Sequence, residues 1–155
     1  MAHSSQTDRA SLGATGRSLP IALLRVREKV MERFRPMLQR HGVTEQQWRV
    51  LRVLGEAPDI DMSALAKAAN LLPPSLSRMT KGLEERGLIS TTRASDDGRR
   101  TSLRLTASGA TLITQVTPES TAISAEIEAI VGRSEIQALI DQLERVLDAL
   151  DKAKA

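Results

Sequence analysis

The 155-residue sequence contains no cysteine. Disulfides, zinc–thiolate centres, cysteine nucleophiles and thiol redox sensing are excluded. Histidine occurs twice, as His3 and His41. No His-rich metal cluster can form, and a Ser-His-Asp set would have to recruit His41 from a helix end. Tyrosine is absent, and Phe34 and Trp48 are the only aromatic residues. The core must come from Leu, Ile, Val, Met and Ala, a composition that favours helices. Neither a Walker nor a Rossmann glycine pattern occurs. These absences predict no catalytic residue, no metal site and no cofactor. No apolar run approaches the roughly 18 residues of a membrane span. Met1–Arg17 is rich in Ser, Thr and Gly and lacks the apolar centre of a signal peptide. The simplest compartment is the cytoplasm, with no membrane partner.

The net charge of +3 is unevenly spread. Residues 63–105 carry 8 basic and 4 acidic side chains, whereas residues 106–155 carry 4 basic and 8 acidic ones. A basic middle and an acidic end point to one surface that faces a polyanion.

Hydrophobic spacing divides the chain. Residues 1–18 read as a flexible tail. From Pro20 a helix places Leu19, Leu23, Val26, Val30, Phe34, Met37 and Leu38 on one face. Pro36 should kink it, and His41-Gly42 ends it. Thr44 and Gln47 form a capping box, with Val43 and Trp48 placed as a hydrophobic staple. The helix they start stops before Pro58. Ser63 opens a short helix, and a turn at Leu71–Pro73 leads to PSLSRMTKGLEER, closed by Gly87. LISTTR and TSLRL then read as two strands around the turn dipeptide Asp97-Gly98. A long helix, bent at Pro118, runs from Thr106 to about Val131. Ser134 and Gln137 form a second capping-box pattern. The last helix carries Ile136, Leu139, Ile140, Leu143, Val146, Leu147 and Leu150 on one narrow stripe. The order is α-α-α-α-β-β-α-α: mainly α with a small β-hairpin.

Two short helices joined by a tight turn match a helix-turn-helix. At about 100° per residue, Leu76, Met79 and Leu83 share one side of the second helix. Ser75, Ser77, Arg78, Lys81, Gly82 and Glu85 share the other. Basic and hydroxyl side chains suit base edges and phosphates in a major groove. Taken alone, this is also what an ordinary amphipathic surface helix looks like. The hairpin that follows shifts the balance towards a DNA reader, because a winged helix places a β-ribbon directly after its recognition helix, although alone it would read as a charged, solvated turn. Arg99 and Arg100 stand just past the turn, suited to a minor groove of enhanced negative potential. Asp97 would position an arginine or shape the turn.

The stretches LAKAANLLPPSLSRMTKGLEERGLI and SDDGRRTSLRLTASG resemble the MarR family of bacterial winged helix-turn-helix regulators. SDDGRRTSLRLTASG is similar to that family's Asp-x-Arg wing (Asp97, Arg99), followed by Leu105, Thr106 and Gly109 of its Leu-Thr-x-x-Gly pattern. The resemblance spans roughly residues 19–150. LPIALLRVREKVMERFRPML and VTEQQWRVLR look closest to the branch that controls homoprotocatechuate (4-hydroxyphenylacetate) degradation. The resemblance implies a homodimer that binds a palindromic double-stranded operator. Residues 44–105 would form the winged DNA-binding domain, and residues 19–43 and 106–152 the dimerisation helices. The pattern agrees independently, since one small winged domain cannot bury both apolar stripes. Half-sites should lie about one helical turn apart.

Members of this family are often released from DNA by small molecules, many of them aromatic acids. On the first helix Arg27 falls within the apolar arc, while Arg25 points to the polar side. A buried guanidinium needs a counter-charge, which an aromatic carboxylate effector would supply. Trp48 could form an aromatic wall, and His41 could line the cavity or cap the helix end. Alternatively, Arg27 pairs with an acid of a partner chain or reaches water, and Trp48 is plain core. Two other functional readings remain: a winged-helix protein–protein adaptor, or a regulator that answers a drug or phenolic stress compound.

Overall fold

The computed structural model describes residues 17–93 and 101–154. Six helices and three strands follow in the order α1 (Leu19–Arg40), α2 (Glu45–Glu56), β1 (Ile60–Asp61), α3 (Met62–Ala69), α4 (Pro73–Glu85), β2 (Ile89–Arg93), β3 (Thr101–Leu105), α5 (Ala107–Val131) and α6 (Arg133–Lys152). Among the described residues no helix is long and apolar enough to cross a membrane.

Local chemistry sets most of these boundaries. Thr44 caps α2 as expected: its hydroxyl accepts from Gln47 N at 3.1 Å, and Gln47 Oε1 accepts from Thr44 N at 3.0 Å. Three helices stop in the same way. A residue with left-handed backbone (Gly42, Asn70 or Gly87) lets the next N–H reach back five residues, as in Val43→Leu38, Leu71→Ala66 and Leu88→Leu83.

Two expectations need correction, and a third feature has its place. The short helix α3 starts one residue before Ser63 and is capped by Asp61, whose Oδ1 accepts from Ala64 N at 2.8 Å. Ser134 and Gln137 form no capping box. Gly132, with φ of 104°, ends α5 and opens α6 at once, so Ser134 already lies inside the helix and Gln137 donates to Asp141 at 3.2 Å. Pro36 and Pro118 each sit within one continuous helix. Both prolines are exposed, on the side where water can serve a carbonyl left without its N–H partner.

The sheet order β1-β3-β2 adds a strand that the sequence pattern did not show. Ile60 pairs with Leu103 and Asp61 with Ser102. The hairpin runs from Ile89↔Leu105 to Arg93↔Thr101. Two residues are too few for an alternating pattern to register. The Asp59 turn that delivers β1 has φ of 63° and is tied to β3 by Arg104 Nε at 2.8 Å.

The core lies under this sheet. Val50, Leu51 and Leu54 of α2, Leu65 of α3, Leu76 and Leu83 of α4, Ile89 and Leu103 of the hairpin and Val116 of α5 are all at most 2% exposed. Met37 and Leu38 join from the end of α1. The rest of α1 packs along α5, and α6 packs on α5. No residue of α6 is buried, and its stripe is open, with Leu147 60% exposed.

Candidate nucleic-acid interface and effector site

Helix α4 stands on the core through Leu76, Thr80 and Leu83. Thr80 is buried, and its hydroxyl donates to the Ser77 carbonyl at 3.1 Å, so the polar atom is satisfied within the helix. This anchoring turns Ser77, Arg78 and Lys81 to solvent and leaves Ser75 and Gly82 half-buried at the margin. A Cβ added at Gly82 would meet nothing within 4 Å. The outward arc is therefore small, hydroxylic and basic, as the wheel predicts. One member escaped sequence reasoning. Leu72, the N-cap residue, is 73% exposed at the start of α4 beside two prolines. An apolar side chain there suits a thymine methyl group.

The base of the wing is built tightly onto this helix. Glu84 Oε1 accepts from Thr91 N of β2 at 3.2 Å. Thr106 closes the other end: its hydroxyl donates to the Gly87 carbonyl at 2.6 Å and accepts from Gly109 N at 3.1 Å, while its N–H donates to the Leu88 carbonyl at 3.1 Å. Gly109 rests directly on that carbonyl. An added Cβ would lie 2.1 Å from Leu88 O and 3.0 Å from Leu105 Cδ2. The Leu105-Thr106-x-x-Gly109 pattern is thus a clasp that fixes α5 to the hairpin. The tip residues Asp97, Arg99 and Arg100 lie outside the described residues.

The three residues expected to hold an effector lie in different surroundings. Trp48 is in the core, 8% exposed, as a staple residue beside buried Val43. His41 Nε2 meets Glu119 Oε1 on α5 at 2.7 Å, and Arg40 takes the other oxygen of the same carboxylate at 2.6 Å. The His41 bond and then the Arg40 bond hold the Glu119 carboxyl below its ordinary value of 4.5. Arg27 is not buried: its side chain is 47% exposed. Its counter-charge comes from its own chain, because Arg27 Nη2 contacts Glu45 of α2 and Nη1 meets Glu28 at 3.1 Å. Arg35 completes the group, 2.9 Å from Glu28 and 3.7 Å from Glu45. The Arg35 hydrogen bond is the main cause of a lowered Glu28 pKa.

Two surface cavities flank this corner. One of about 740 Å³ lies between α1 and the far end of α5, with a floor that includes Val26, Val30, Ile127 and Ile130. Its lining also includes Arg25, Lys29 and Arg33 at a spacing of four, so Arg25 lies on an exposed basic stripe of α1 beside this floor. The other, about 450 Å³, lies at the end of α1 and includes Arg35, Leu38, Val43 and Glu45. Neither lining includes Arg27, Trp48 or His41. Among the described residues, no three metal-ligating side chains gather.

A helix-turn-helix followed by a β-hairpin, which a short strand ahead of it completes to a three-stranded sheet, with a basic arc turned outwards, defines a winged-helix DNA-binding protein. The MarR family matches residues 43–101. The transcriptional regulator FarR of Neisseria gonorrhoeae is 36% identical, over 86% of this chain and 94% of its own. The homoprotocatechuate degradative operon repressor of Escherichia coli is 37% identical, over 84% of this chain and 88% of its own. Among solved structures, NadR in complex with 4-hydroxyphenylacetate is 37% identical with a TM-score of 0.74, covering 83% of this chain and 92% of that one. The repressor CouR bound to a 23-mer DNA duplex is 27% identical with a TM-score of 0.80, covering 88% and 96%. The chain belongs to the MarR family of transcriptional regulators. It is a regulator and not an enzyme.

Proposed function

We propose that this regulator is a ligand-responsive repressor of aromatic-acid catabolism that binds a palindromic operator as a homodimer. The outward arc of α4 carries the DNA reading: Ser77, Arg78 and Lys81 are solvent-facing on a helix whose opposite side is locked into the core. Ser75 stands at its margin, and Arg99 and Arg100 on the wing supply groove and phosphate contacts, with Asp97 positioning them. The open stripe of α6, together with exposed Leu23 and Val26 on α1, supports a dimer, since a lone chain leaves both apolar faces in water. A dimer covering an operator blocks polymerase without any activating surface, which favours repression.

The effector reading rests on the relatives that bear the names of aromatic acids and on the cationic corner of Arg27 and Arg35 beside Glu45. An aromatic carboxylate would compete with Glu45 for Arg27 through paired N–H donors. Trp48 and His41 would then act from behind, by bracing α2 and the end of α1. The decisive experiment selects genomic fragments that the protein retains and repeats the selection with candidate aromatic acids. Retained fragments should carry a palindrome, bind less tightly as salt rises, and be released by an aromatic acid. Binding that is indifferent to salt would reject the DNA reading in favour of a protein partner.

A further inference from the structure

Arg49 is a cation that neither the reading arc nor the pairing at Arg27 accounts for. It lies on α2 four residues after Glu45, the spacing at which an acid pairs with a following base on one helix. That pair does not form, because Arg27 and Arg35 hold Glu45 from α1. Arg49 reaches the other way, and its Nη1 donates over 3.4 Å to the backbone carbonyl of Asn70. Its Nε is buried and has no acceptor. Burial, and then the positive charge of Arg27, lower its pKa. At this corner Arg27 and Arg35 are paired with Glu28 and Glu45. Arg49 stands within reach of the Arg27 charge, has no paired acid among the described residues, and keeps one buried N–H open.

Asn70 gives this arm its consequence. It is the left-handed residue (φ 52°) of the turn between α3 and α4, and its N–H and that of Leu71 close α3 on Lys67 and Ala66. The reading helix starts three residues later. Arg49 is therefore a side-chain tether from α2, next to the effector corner, to the turn that aims α4.

We infer that Arg49 couples the binding of a carboxylate to the release of DNA. The inference rests on the effector reading above. A carboxylate seated beside Arg27 attracts the Arg49 guanidinium towards α1, where the Nε–H that is buried and without an acceptor at rest can donate to it. The Asn70 bond, already at the limit of hydrogen-bonding distance, breaks on a shift of a few tenths of an ångström. The turn loses its tether, and the orientation of α4 that fits the groove becomes less populated. Ligand and turn compete for one side chain, so each weakens the hold of the other.

The test measures operator affinity by fluorescence anisotropy and acid binding by calorimetry, with 4-hydroxyphenylacetate as the probe and its neutral amide as the control. Arg49→Met should bind the operator about threefold more weakly with no acid present, the low end of what one hydrogen bond contributes, because the Asn70 bond is long. Adding the acid should weaken it no further. Arg49→Lys keeps a cation for the Asn70 carbonyl but lacks the Nε–H. It should lose less operator affinity than Arg49→Met and yet lose the response to acid, which keeps the test open if the methionine variant folds poorly. Parent-like operator affinity together with a parent-like response, in either variant, overturns the coupling. A parent protein that binds no acid at all overturns the coupling together with the effector reading, and the ligand-free affinity of Arg49→Met then tests the Asn70 tether alone. Arg27→Ala separates the two ideas. Unchanged acid binding in that variant sinks the effector reading itself. Lost acid binding there, beside a parent-like Arg49→Met, sinks the coupling alone.

Discussion

Gly109 carries the sharpest prediction for stability. In Gly109→Ala the new methyl group would lie 2.1 Å from the Leu88 carbonyl oxygen and 3.1 Å from its carbon. Ordinary contact begins near 3.4 Å, so the backbone must part by more than an ångström. The oxygen cannot simply swing away, because it accepts from Thr106 N at 3.1 Å. Leu88 is also buried, next to the first paired residue of the hairpin. Overpacking of this kind costs about 1–3 kcal/mol. Weakening the Thr106 cap and its bond to Leu88 adds about 1 kcal/mol. Better helix propensity returns at most about 1 kcal/mol, and less in a first turn. The net loss should be about 1–4 kcal/mol, which for a chain of this size lowers Tm by roughly 2–16 °C. Thermal denaturation followed by circular dichroism, at one fixed protein concentration, measures it. A variant as stable as the parent would refute the clasp at Leu88, Thr106 and Gly109.

The opposite sign is expected elsewhere. Gly82→Ala, which meets nothing within 4 Å, should stabilise by about 0.5–1 kcal/mol in chemical denaturation. Glu119 has a lowered pKa, so its contribution is present above the ordinary value of 4.5 and is lost as pH falls through the lowered one. Glu119→Gln should therefore be the less stable protein at neutral pH and lose less on acidification, as read from denaturation midpoints across a pH series. Leu143→Asp with Leu147→Asp should convert a dimer into a monomer in light scattering, while an unchanged mass would place the interface elsewhere. Leu72→Ser should lower affinity for thymine-containing half-sites more than for substituted ones in competition binding.

Much of the fold was legible because its punctuation is local. Thr44 with Gln47, Gly87 after Glu85, and alternation across LISTTR need only neighbouring residues to declare themselves. The reading arc of α4 was legible for the same reason, since a wheel decides which side Leu76 and Leu83 occupy. What sequence could not give is set by contacts between distant residues. Arg27 looked buried because its helix arc is apolar, but Glu45 from the next helix holds its guanidinium near the surface. His41 and Glu119 are 78 positions apart, and no periodicity joins them. Gly109 belongs to a family pattern, and its reason appears only where Leu88 O presses against it.

The clasp also divides the wing into a fixed root and an exchangeable remainder. Glu84, Thr91, Thr106 and Gly109 hold the hairpin where it leaves α4 and enters α5, and among the described residues its strands are paired from Ile89↔Leu105 as far as Arg93↔Thr101. Changes of length or charge between those two residues would then alter affinity for DNA without disturbing the core, because the contacts that fix the root to α4 and α5 lie outside that stretch. For an engineer, that is a grafting point. For natural selection, it lets strength of binding drift on its own, separately from the geometry that answers the effector.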